Sequence, residues 1–235
     1  MDNIYEHDIK LVVFIHTCAR YYDTRARLLE ETWVKDSSAE IVFITDDEKS
    51  KLKTHISIGK YEGGPTYHPN NVKKMFNIFL DKYSNFDYYM IIDDDSYLNV
   101  KKLKMFLSFF DKNESYMIGD FINWTHIHSS HKYGGKYEYW IGGGPGIVFT
   151  KSCIIKYIEL YTTFNIPYDN HDVWLHKLFL KSDGSIKRVH CPGFHQYGAE
   201  YLFQKYSNET NKLISIHLNR DMSLLDKYHK YIDYK

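Results

Sequence analysis

The feature that most constrains the fold is an apolar run at residues 88–92, YYMII, that leads directly into three consecutive aspartates. Such a run is typical of a strand buried within a sheet. Asp93, Asp94 and Asp95, hereafter the aspartate triad, repel one another and are costly to bury without compensation. A divalent cation such as Mg²⁺ or Mn²⁺ prefers oxygen ligands and often bridges to phosphates. The run therefore predicts a metal site that neutralises a diphosphate, and the alternative is a solvated acidic turn.

Strands and helices alternate along much of the chain. Apolar runs predict strands at residues 10–16, 40–45, 87–92, 116–119 and 146–150. Helical periodicity predicts helices at residues 24–33, 71–83, 100–110, 151–162 and 172–180. We expect Asp23 or Thr24 to cap the first helix, and residues 96–99 to form a turn. The alternation implies βαβ units, so the predicted fold class is α/β: a single domain with a mostly parallel central sheet flanked by helices.

Ligands bind sheets of this kind beyond the carboxyl ends of the strands. The predicted strands end at His16 and Thr17, at Asp46 and Asp47, and at the aspartate triad. We therefore expect these three groups to border one crevice. Arg25, near the start of the first helix, could hold a diphosphate there through a bidentate contact. The alternative is a surface arginine paired with a glutamate about one helical turn away.

Three further motifs in the second half could contribute to a site. The sequence GGGPG at residues 142–146, hereafter the glycine-rich loop, lets the backbone approach a ligand closely, or it forms a tight turn without one. It matches neither a dinucleotide-binding fingerprint nor a Walker loop. Asp172 precedes a predicted helix, where it could cap that helix or act as a general base. His195 could add a nitrogen ligand that suits Mn²⁺ better than Mg²⁺, or serve as a structural histidine.

Composition excludes several classes of function. The 30 basic residues balance the 30 acidic ones, so the chain lacks the positive charge expected of a nucleic-acid-binding protein. No apolar stretch reaches the length of a membrane-spanning helix, and the polar, acidic start is unlike a signal peptide. The three scattered cysteines indicate neither a zinc ribbon nor a disulfide framework. We expect a cytoplasmic protein if the chain is complete, or one of the Golgi or ER lumen if it is an excised catalytic domain.

Seven motifs occur in a fixed order: TR to TW at residues 24–33, ITD at 44–46, KM at 74–75, DDDSYLN at 93–99, GGPG at 143–146, HDV at 171–173 and FH at 194–195. Together they resemble the Fringe-like branch of the β1,3-glycosyltransferases over about residues 9–195. Pro145 stands where that family has a small residue within GGAG, and His171 stands where it has an acidic residue before the base. A shifted register would place Asn170 at the base position and leave Asp169 or Asp172 to serve.

The resemblance implies a GT-A fold, a UDP-sugar as donor substrate and Mn²⁺, or Mg²⁺, as cofactor. It implies Asp95 and His195 as metal ligands, and Asp172 as the base that deprotonates the acceptor hydroxyl. The residues expected to contact the donor are Thr17, Arg25, Asp46, Lys74, Asp93, Asp94, Gly143 and Gly144.

The expected activity is inverting, metal-dependent transfer of a sugar from a UDP-sugar to a hydroxyl of a glycan or glycoprotein acceptor, with a β1,3 linkage. The alternatives are a catalytically inactive nucleotide- or sugar-binding module and a metal-dependent phosphohydrolase. Within one domain over residues 1–235, we expect a nucleotide-sugar half at about 9–120 and an acceptor and catalytic half at about 121–200. A C-terminal tail is expected at 201–235.

Overall fold

The computed structural model of the chain describes residues 9–61, 69–123, 139–167, 169–206 and 212–232. The strands within these ranges are β1 (Leu11–His16), β2 (Glu40–Thr45), β3 (His55–Ser57), β4 (Tyr88–Asp93), β5 (Ser96–Leu98), β6 (Tyr116–Gly119), β7 (Phe121–Asn123), β8 (Tyr139–Ile141), β9 (Ile147–Thr150), β10 (Lys187–His190), β11 (Phe194–His195) and β12 (Ser215–His217). The α-helices are α1 (Arg27–Glu31), α2 (Pro69–Lys82), α3 (Val100–Leu107), α4 (Lys151–Thr163), α5 (His171–Phe179), α6 (Ala199–Tyr206) and α7 (Leu225–Ile232).

A seven-stranded sheet in the order β10-β6-β9-β4-β1-β2-β3 forms the centre of the fold. Strand β9 runs antiparallel to its neighbours β4 and β6, whereas the other paired strands of this sheet are parallel. The structure confirms the predicted α/β class and its mostly parallel central sheet flanked by helices. The carboxyl ends of β1, β2, β4 and β6 therefore meet at one edge, where the start of the antiparallel strand β9 also lies.

Helices cover both faces of this sheet, which explains why its central strands are apolar on both sides. Leu11, Val13 and Ile15 of β1 belong to one buried core, shared with residues of α1, α3 and α7. Val12 and Phe14, which alternate with them, belong to a second core shared with α2, α4 and α5. Because successive side chains of a strand point to opposite faces, a continuous apolar run is what such a three-layer arrangement requires.

A second sheet begins directly after the aspartate triad. Strand β4 ends at Asp93 and β5 begins at Ser96, so Asp94 and Asp95 form the turn between them. Strand β12 pairs antiparallel with β5 and parallel with β11. The expectation of a turn at residues 96–99 is wrong, because Ser96, Tyr97 and Leu98 form a buried strand. The segment expected to be a C-terminal tail contains β12 and α7, both of which pack on this part of the fold.

The first helical segment begins earlier than the sequence predicts. A 3₁₀ turn at Ala19–Tyr21 and a π-helical turn at Tyr22–Ala26 precede α1. Asp23 and Thr24, the expected caps, therefore lie inside the π-helical turn rather than at a helix start. The wider turn carries Arg25 and Ala26 into the interior, where both are buried. Turns of this kind are rare and often mark functional sites.

The other predicted strands and helices lie within a few residues of those observed. The weakly patterned strands β3, β7, β8, β10, β11 and β12 were not predicted from the sequence. Within the described part of the chain, no helix combines the length and apolar character needed to cross a bilayer.

Candidate active site

The aspartate triad lies in the interior at the edge where the central strands end. Asp93, Asp94 and Asp95 retain only 5, 4 and 2% of their accessible surface, so their negative charges are largely removed from water. Backbone pairing with β1 places Asp93 beside His16, and Thr17 follows immediately. Three ionised carboxylates this close together need positive charge or hydrogen-bond donors around them.

Arg25 and Thr17 both hold the middle aspartate. The Thr17 hydroxyl donates to Oδ2 of Asp94 at 2.6 Å, and Nη1 of Arg25 donates to its Oδ1 at 2.9 Å. The same nitrogen lies 3.3 Å from Oδ2 of Asp95. The guanidinium also packs over the ring of Tyr21, 3.9 Å from its centre. The structure therefore places Thr17 and Arg25 at the triad, as the crevice argument predicted, and the glutamate pairing considered for Arg25 is not the contact that it makes.

Burial is the largest influence on the pKa of Asp94. It raises the pKa of Asp94 to about 6, although the hydrogen bonds from Thr17 and Arg25 favour the ionised form. Burial alone would lower the pKa of Arg25, but the hydrogen bond to Asp94 and the charges of Asp94 and Asp95 together outweigh it and raise that pKa, so the guanidinium stays charged. Arg25 therefore offsets only part of the negative charge of the aspartate triad.

Asp93, Asp95 and His217 form a group suited to a metal ion. One potential ligand atom from each of these residues lies within 4.8 Å of the others. The nitrogen ligand predicted from the sequence was His195, but the histidine brought to the aspartates is His217 of β12. His195 lies on the neighbouring strand β11, in register with Ile216, and does not belong to this group.

The sequence carries a signal for His217 that motif reading missed. The stretch LISIHL at residues 213–218 contains mostly buried apolar side chains, which is typical of a strand. Its pairing with β5, which directly follows the triad, brings His217 opposite Ser96. Reading the segment as a strand would have indicated a histidine at its end, but only long-range pairing shows that this strand lies beside the triad.

His217 and Asp95 contact each other directly. Nε2 of His217 lies 3.1 Å from Oδ1 of Asp95. Burial alone would raise the pKa of Asp95, but the hydrogen bond and charge of His217 outweigh it and lower that pKa. For His217, burial alone would lower the pKa, but the hydrogen bond that it donates to Asp95 and the negative charges of Asp95 and Asp93 together outweigh it and raise the pKa. His217 and Asp95 therefore form an ion pair when the imidazole is protonated.

The donor set fits a divalent cation. Two carboxylates and one imidazole, all largely buried, supply the oxygen and nitrogen ligands that Mn²⁺ accepts. The three carboxylates of the triad lie close to one guanidinium and one imidazole, so they retain an excess of negative charge that a dication would offset. An exposed acidic surface patch would show neither this burial nor this convergence.

The glycine-rich loop passes between the metal group and helix α5. A Cβ on Gly143 would lie 2.4 Å from Nε2 of His171, and a Cβ on Gly144 would lie 2.5 Å from Nδ1 of His217. The Gly144 carbonyl accepts a hydrogen bond from the Ser96 hydroxyl at 2.7 Å. These two glycines are therefore required by close packing, because any side chain would displace one of the histidines. That Gly143 and Gly144 contact a donor molecule stays a prediction.

Asp172 lies in the first turn of α5, next to His171, which packs against Gly143 of the glycine-rich loop. The N-cap of this helix is Asn170, so the capping role considered for Asp172 is not the one observed. Oδ1 of Asp172 accepts from the Val173 amide at 2.8 Å, and Oδ2 accepts from the indole nitrogen of Trp140 at 3.3 Å. The carboxylate is therefore held in one orientation while remaining partly exposed. Asp169, the alternative base, instead forms an ion pair with Lys177 at 2.8 Å.

His171 is fully enclosed beside the glycine-rich loop. Burial lowers the pKa of His171, against the opposing effect of the Asp172 charge. Burial likewise lowers the pKa of the neighbouring His16, to about 3, and the proximity of His171 adds to this effect. Both rings are therefore neutral at neutral pH. The substitution of histidine for an acidic residue at position 171 thus removes a negative charge beside Asp172 without adding a positive one.

Two further predicted donor-binding residues lie at the edge near β2 and β3. Oδ1 of Asp46 accepts from the Ala19 amide at 2.9 Å, which ties the end of β2 to the turn that carries Arg25. Nζ of Lys74 donates to the carbonyl of Ile58 at 3.0 Å. Asp46 therefore borders the crevice through its link to Ala19. Lys74 therefore bonds to the backbone just after β3.

The fold and this buried group at the carboxyl ends of parallel strands define an α/β protein with a candidate metal and donor crevice. The sequence model of the Fringe-like family matches residues 6–221. The chain therefore belongs to the Fringe-like family, as its motifs indicated.

Two relatives are each named β-1,3-glucosyltransferase. The one from Mus musculus is 26% identical over 209 residues, and the one from Homo sapiens is 25% identical over 205 residues. Both matches cover 82% of this chain but only 38 and 37% of the relatives, so the chain spans well under half of their length. A solved glycosyltransferase involved in glycosylation of the major capsid of PBCV-1 is similar in structure, with a TM-score of 0.53 and 11% identity. That match covers 94% of this chain and 99% of the other, and it shows the GT-A fold.

Proposed function

We propose that this protein is an inverting, metal-dependent glycosyltransferase that moves a sugar from a UDP-sugar to a hydroxyl of a glycan or glycoprotein. The observation that carries the proposal is the packing of the glycine-rich loop, with His217 of the metal group against Gly144 and His171, the neighbour of Asp172, against Gly143. The names of the two relatives support a β1,3 linkage as the product.

The metal side of the loop would bind the donor diphosphate. Asp93, Asp95 and His217 would hold a divalent cation, and the imidazole nitrogen favours Mn²⁺ over Mg²⁺. When bound, the ion offsets the negative charge that develops on the leaving diphosphate. Arg25 already lies at this position and could contact the same phosphates, because a guanidinium matches phosphate oxygens in a bidentate way.

The remaining donor contacts would come from the neighbouring strand ends. Thr17 and Asp46 lie at the carboxyl ends of β1 and β2, beside the turn that carries Arg25. Lys74, on α2, is a further proposed nucleotide contact, and its ammonium bonds to the backbone just after β3. This arrangement resembles other open α/β sheets, in which nucleotides bind across the ends of adjacent strands.

Asp172 would be the general base. Its carboxylate accepts the proton of the acceptor hydroxyl while the hydroxyl oxygen attacks the anomeric carbon. The bond from that carbon to the diphosphate breaks, and its electron pair leaves with the diphosphate. In the proposed inverting transfer, Asp172 acts on the face of the sugar opposite the leaving diphosphate, so the anomeric configuration is inverted. The hydrogen bond from Trp140 keeps Oδ2 in place during this step.

The first experiment is a thermal-shift screen of nucleotides and UDP-sugars with and without Mn²⁺, because a ligand of the folded state raises the melting temperature. A shift that requires both UDP and Mn²⁺ is the expected result. Transfer is then measured as new glycosidic product on sugar acceptors, with NMR of the anomeric proton to define configuration.

Three variants separate the roles of the residues. Asp95→Asn should abolish the Mn²⁺-dependent shift with UDP, and Asp172→Asn should keep that shift but lose transfer. Asp111→Asn, an exposed aspartate in the loop before β6, is the control and should behave like the wild type. Nucleotide binding without any transfer would favour an inactive binding module, whereas acceptor-independent release of phosphate would favour a phosphohydrolase. Full transfer by Asp172→Asn would remove Asp172 as the base.

A further inference from the structure

Gln196 links three parts of the site that the proposed mechanism does not connect. Its backbone amide donates to Oδ2 of Asp120 at 2.8 Å, at the end of β6. Its side-chain oxygen Oε1 accepts from the Gly144 amide at 3.0 Å. Its side-chain nitrogen Nε2 lies 3.1 Å from Nδ1 of His217. One residue therefore contacts the end of a central strand, the glycine-rich loop and a candidate metal ligand.

These contacts determine how the imidazole of His217 is oriented. Nε2 faces Asp95 at 3.1 Å, and Nδ1 on the other side of the ring faces Gln196. Gly144 packs against the same edge of the ring so closely that a Cβ there would lie 2.5 Å from Nδ1. The ring is therefore held from both sides, with Nε2 directed at the carboxylates. Metal-binding histidines commonly donate their second ring N–H to a hydrogen-bond acceptor, which fixes the orientation of the ring.

The side-chain amide of Gln196 is also held from both ends. The Gly144 amide is a donor, so it selects the oxygen end of the Gln196 side chain and leaves the nitrogen end facing His217. The amide nitrogen can only donate, so Nδ1 of His217 is the acceptor in this arrangement and the ring proton lies on Nε2, facing Asp95. A histidine that binds a metal through Nε2 carries its remaining proton on Nδ1, so the Gln196 amide has to turn its oxygen from the Gly144 amide to His217 when a metal binds. The hydrogen bond to the glycine-rich loop and the site of the proton on the His217 ring therefore depend on the same amide group.

We infer that Gln196 is a positioning residue, which holds the His217 ring towards the carboxylates and couples metal binding to the glycine-rich loop, because its amide has to turn when Nδ1 carries the proton. The inference rests on the proposed function for its metal ion. The contacts of Gln196 are all with residues of this chain, and the effects expected of its substitution can be measured without any transfer reaction.

Two substitutions distinguish positioning from simple packing. Gln196→Leu keeps the approximate size of the side chain but removes both hydrogen-bonding ends. Gln196→Glu supplies two acceptor oxygens, one for the Gly144 amide and one for an Nδ1 proton of His217. If Gln196 acts by positioning, the leucine variant binds metal more weakly and the glutamate variant binds it at least as tightly as the wild type. If it only fills space, the two variants behave alike.

The test is a Mn²⁺ titration of the full chain followed by electron paramagnetic resonance of free Mn²⁺, with and without UDP. Gln196→Leu is expected to weaken Mn²⁺ binding about 10- to 100-fold, the usual effect of removing a partner that orients a metal ligand. Gln196→Glu is expected to match or exceed the wild type. Asn113→Leu, the same amide-to-leucine change at an exposed turn before β6, is the matched control and should leave the affinity unchanged.

A second measurement follows the loop without metal. Hydrogen exchange of the Gly144 amide, read by NMR, should accelerate in Gln196→Leu and stay slow in Gln196→Glu, because only the latter retains an acceptor. Thermal unfolding of the metal-free variants checks that each is folded.

The outcomes separate the two proposals. If the wild type binds neither Mn²⁺ nor Mg²⁺ with or without UDP, the metal-dependent function is overturned, and the role of Gln196 with it. If the wild type binds Mn²⁺ and Gln196→Leu binds it equally well, the positioning role alone is overturned. If the leucine and glutamate variants lose affinity to the same extent, Gln196 acts by packing and the inference is also refuted.

Discussion

Replacing Gly144 with alanine tests directly how closely the glycine-rich loop packs against His217. The added Cβ would lie 2.5 Å from Nδ1 and 2.6 Å from Cγ of His217, and 2.9 Å from Nε2 of Gln196. Non-bonded atoms normally approach to about 3.5 Å, so the imidazole would have to retreat by about 1 Å. Cγ is the base of the ring rather than a flexible end, so the whole side chain has to move. Its 3.1 Å contact with Asp95 would then be lost or distorted.

The expected cost has two parts. Overpacking a filled interior costs about 1–3 kcal/mol. Alanine restricts the unfolded chain more than glycine does, which raises the unfolding free energy by about 0.4–1 kcal/mol. The net loss of unfolding free energy is therefore about 0–2.6 kcal/mol, which for a chain of this size lowers the melting temperature by up to roughly 10 °C. Because the ring that moves is a proposed metal ligand, we expect Mn²⁺ affinity to fall at least about tenfold.

Gly184→Ala is the control for this prediction. Gly184 has φ +78° and no atom near its missing Cβ, so alanine there is strained without a clash. It lies in the turn before β10, at the opposite end of the sheet from the site. We expect a similar loss of thermal stability, by about 1–2 kcal/mol of backbone strain, with unchanged Mn²⁺ affinity. Wild-type affinity in Gly144→Ala, measured by the same titration, would refute the claim that the loop packs against a metal ligand.

Four further outcomes follow from the contacts. Arg25→Leu leaves the buried carboxylate of Asp94 without its cation and should cost about 3–5 kcal/mol of unfolding free energy in urea titrations; adding Asp94→Asn should recover part of this loss. Trp140→Phe removes the donor to Asp172 and should lower kcat roughly tenfold, about 1 kcal/mol of barrier, with unchanged UDP binding. Burial raises the pKa of Tyr88 to about 12, so the stability that this hydroxyl contributes is complete below pH 10 and is lost as the pH rises towards 12; Tyr88→Phe should flatten that decline in urea unfolding at alkaline pH. When the free metal concentration is about 100 times the dissociation constant of the metal, removing the metal with a chelator should lower the apparent unfolding free energy by about 2.7 kcal/mol. An unchanged melting temperature would argue against a bound ion.

The strands and helices of the sheet could be predicted because their signals are local. The runs that became β1, β2, β4 and β6 are apolar on both faces, which a strand between two helical layers requires. The order of these elements predicted the parallel sheet, and the sheet in turn predicted that Thr17, Asp46 and the aspartate triad would lie at one edge. The π-helical turn at Tyr22–Ala26 was not predictable in this way, because helical periodicity alone does not distinguish it from an ordinary helix.

The ordered motifs were sufficient to identify the family, since each lies in a short segment of sequence. They were insufficient to identify the third candidate metal ligand. His195 and His217 are both histidines at strand ends, and they lie on adjacent strands. A motif search favours His195 because it follows a recognisable phenylalanine, whereas the geometry selects His217.

The sequence by itself determined the class of fold, the buried carboxylates and the edge of the sheet where they lie, because strand burial and strand order depend on local pattern. Only the tertiary structure decided which residues complete the site. The pairing of β12 with β5 spans more than a hundred residues and brings His217 to Asp95. The packing of Gly143 and Gly144 between two histidines, and the three contacts of Gln196, arise in the same way. Contacts between segments so far apart depend on how the layers pack together, which no short stretch of the chain encodes.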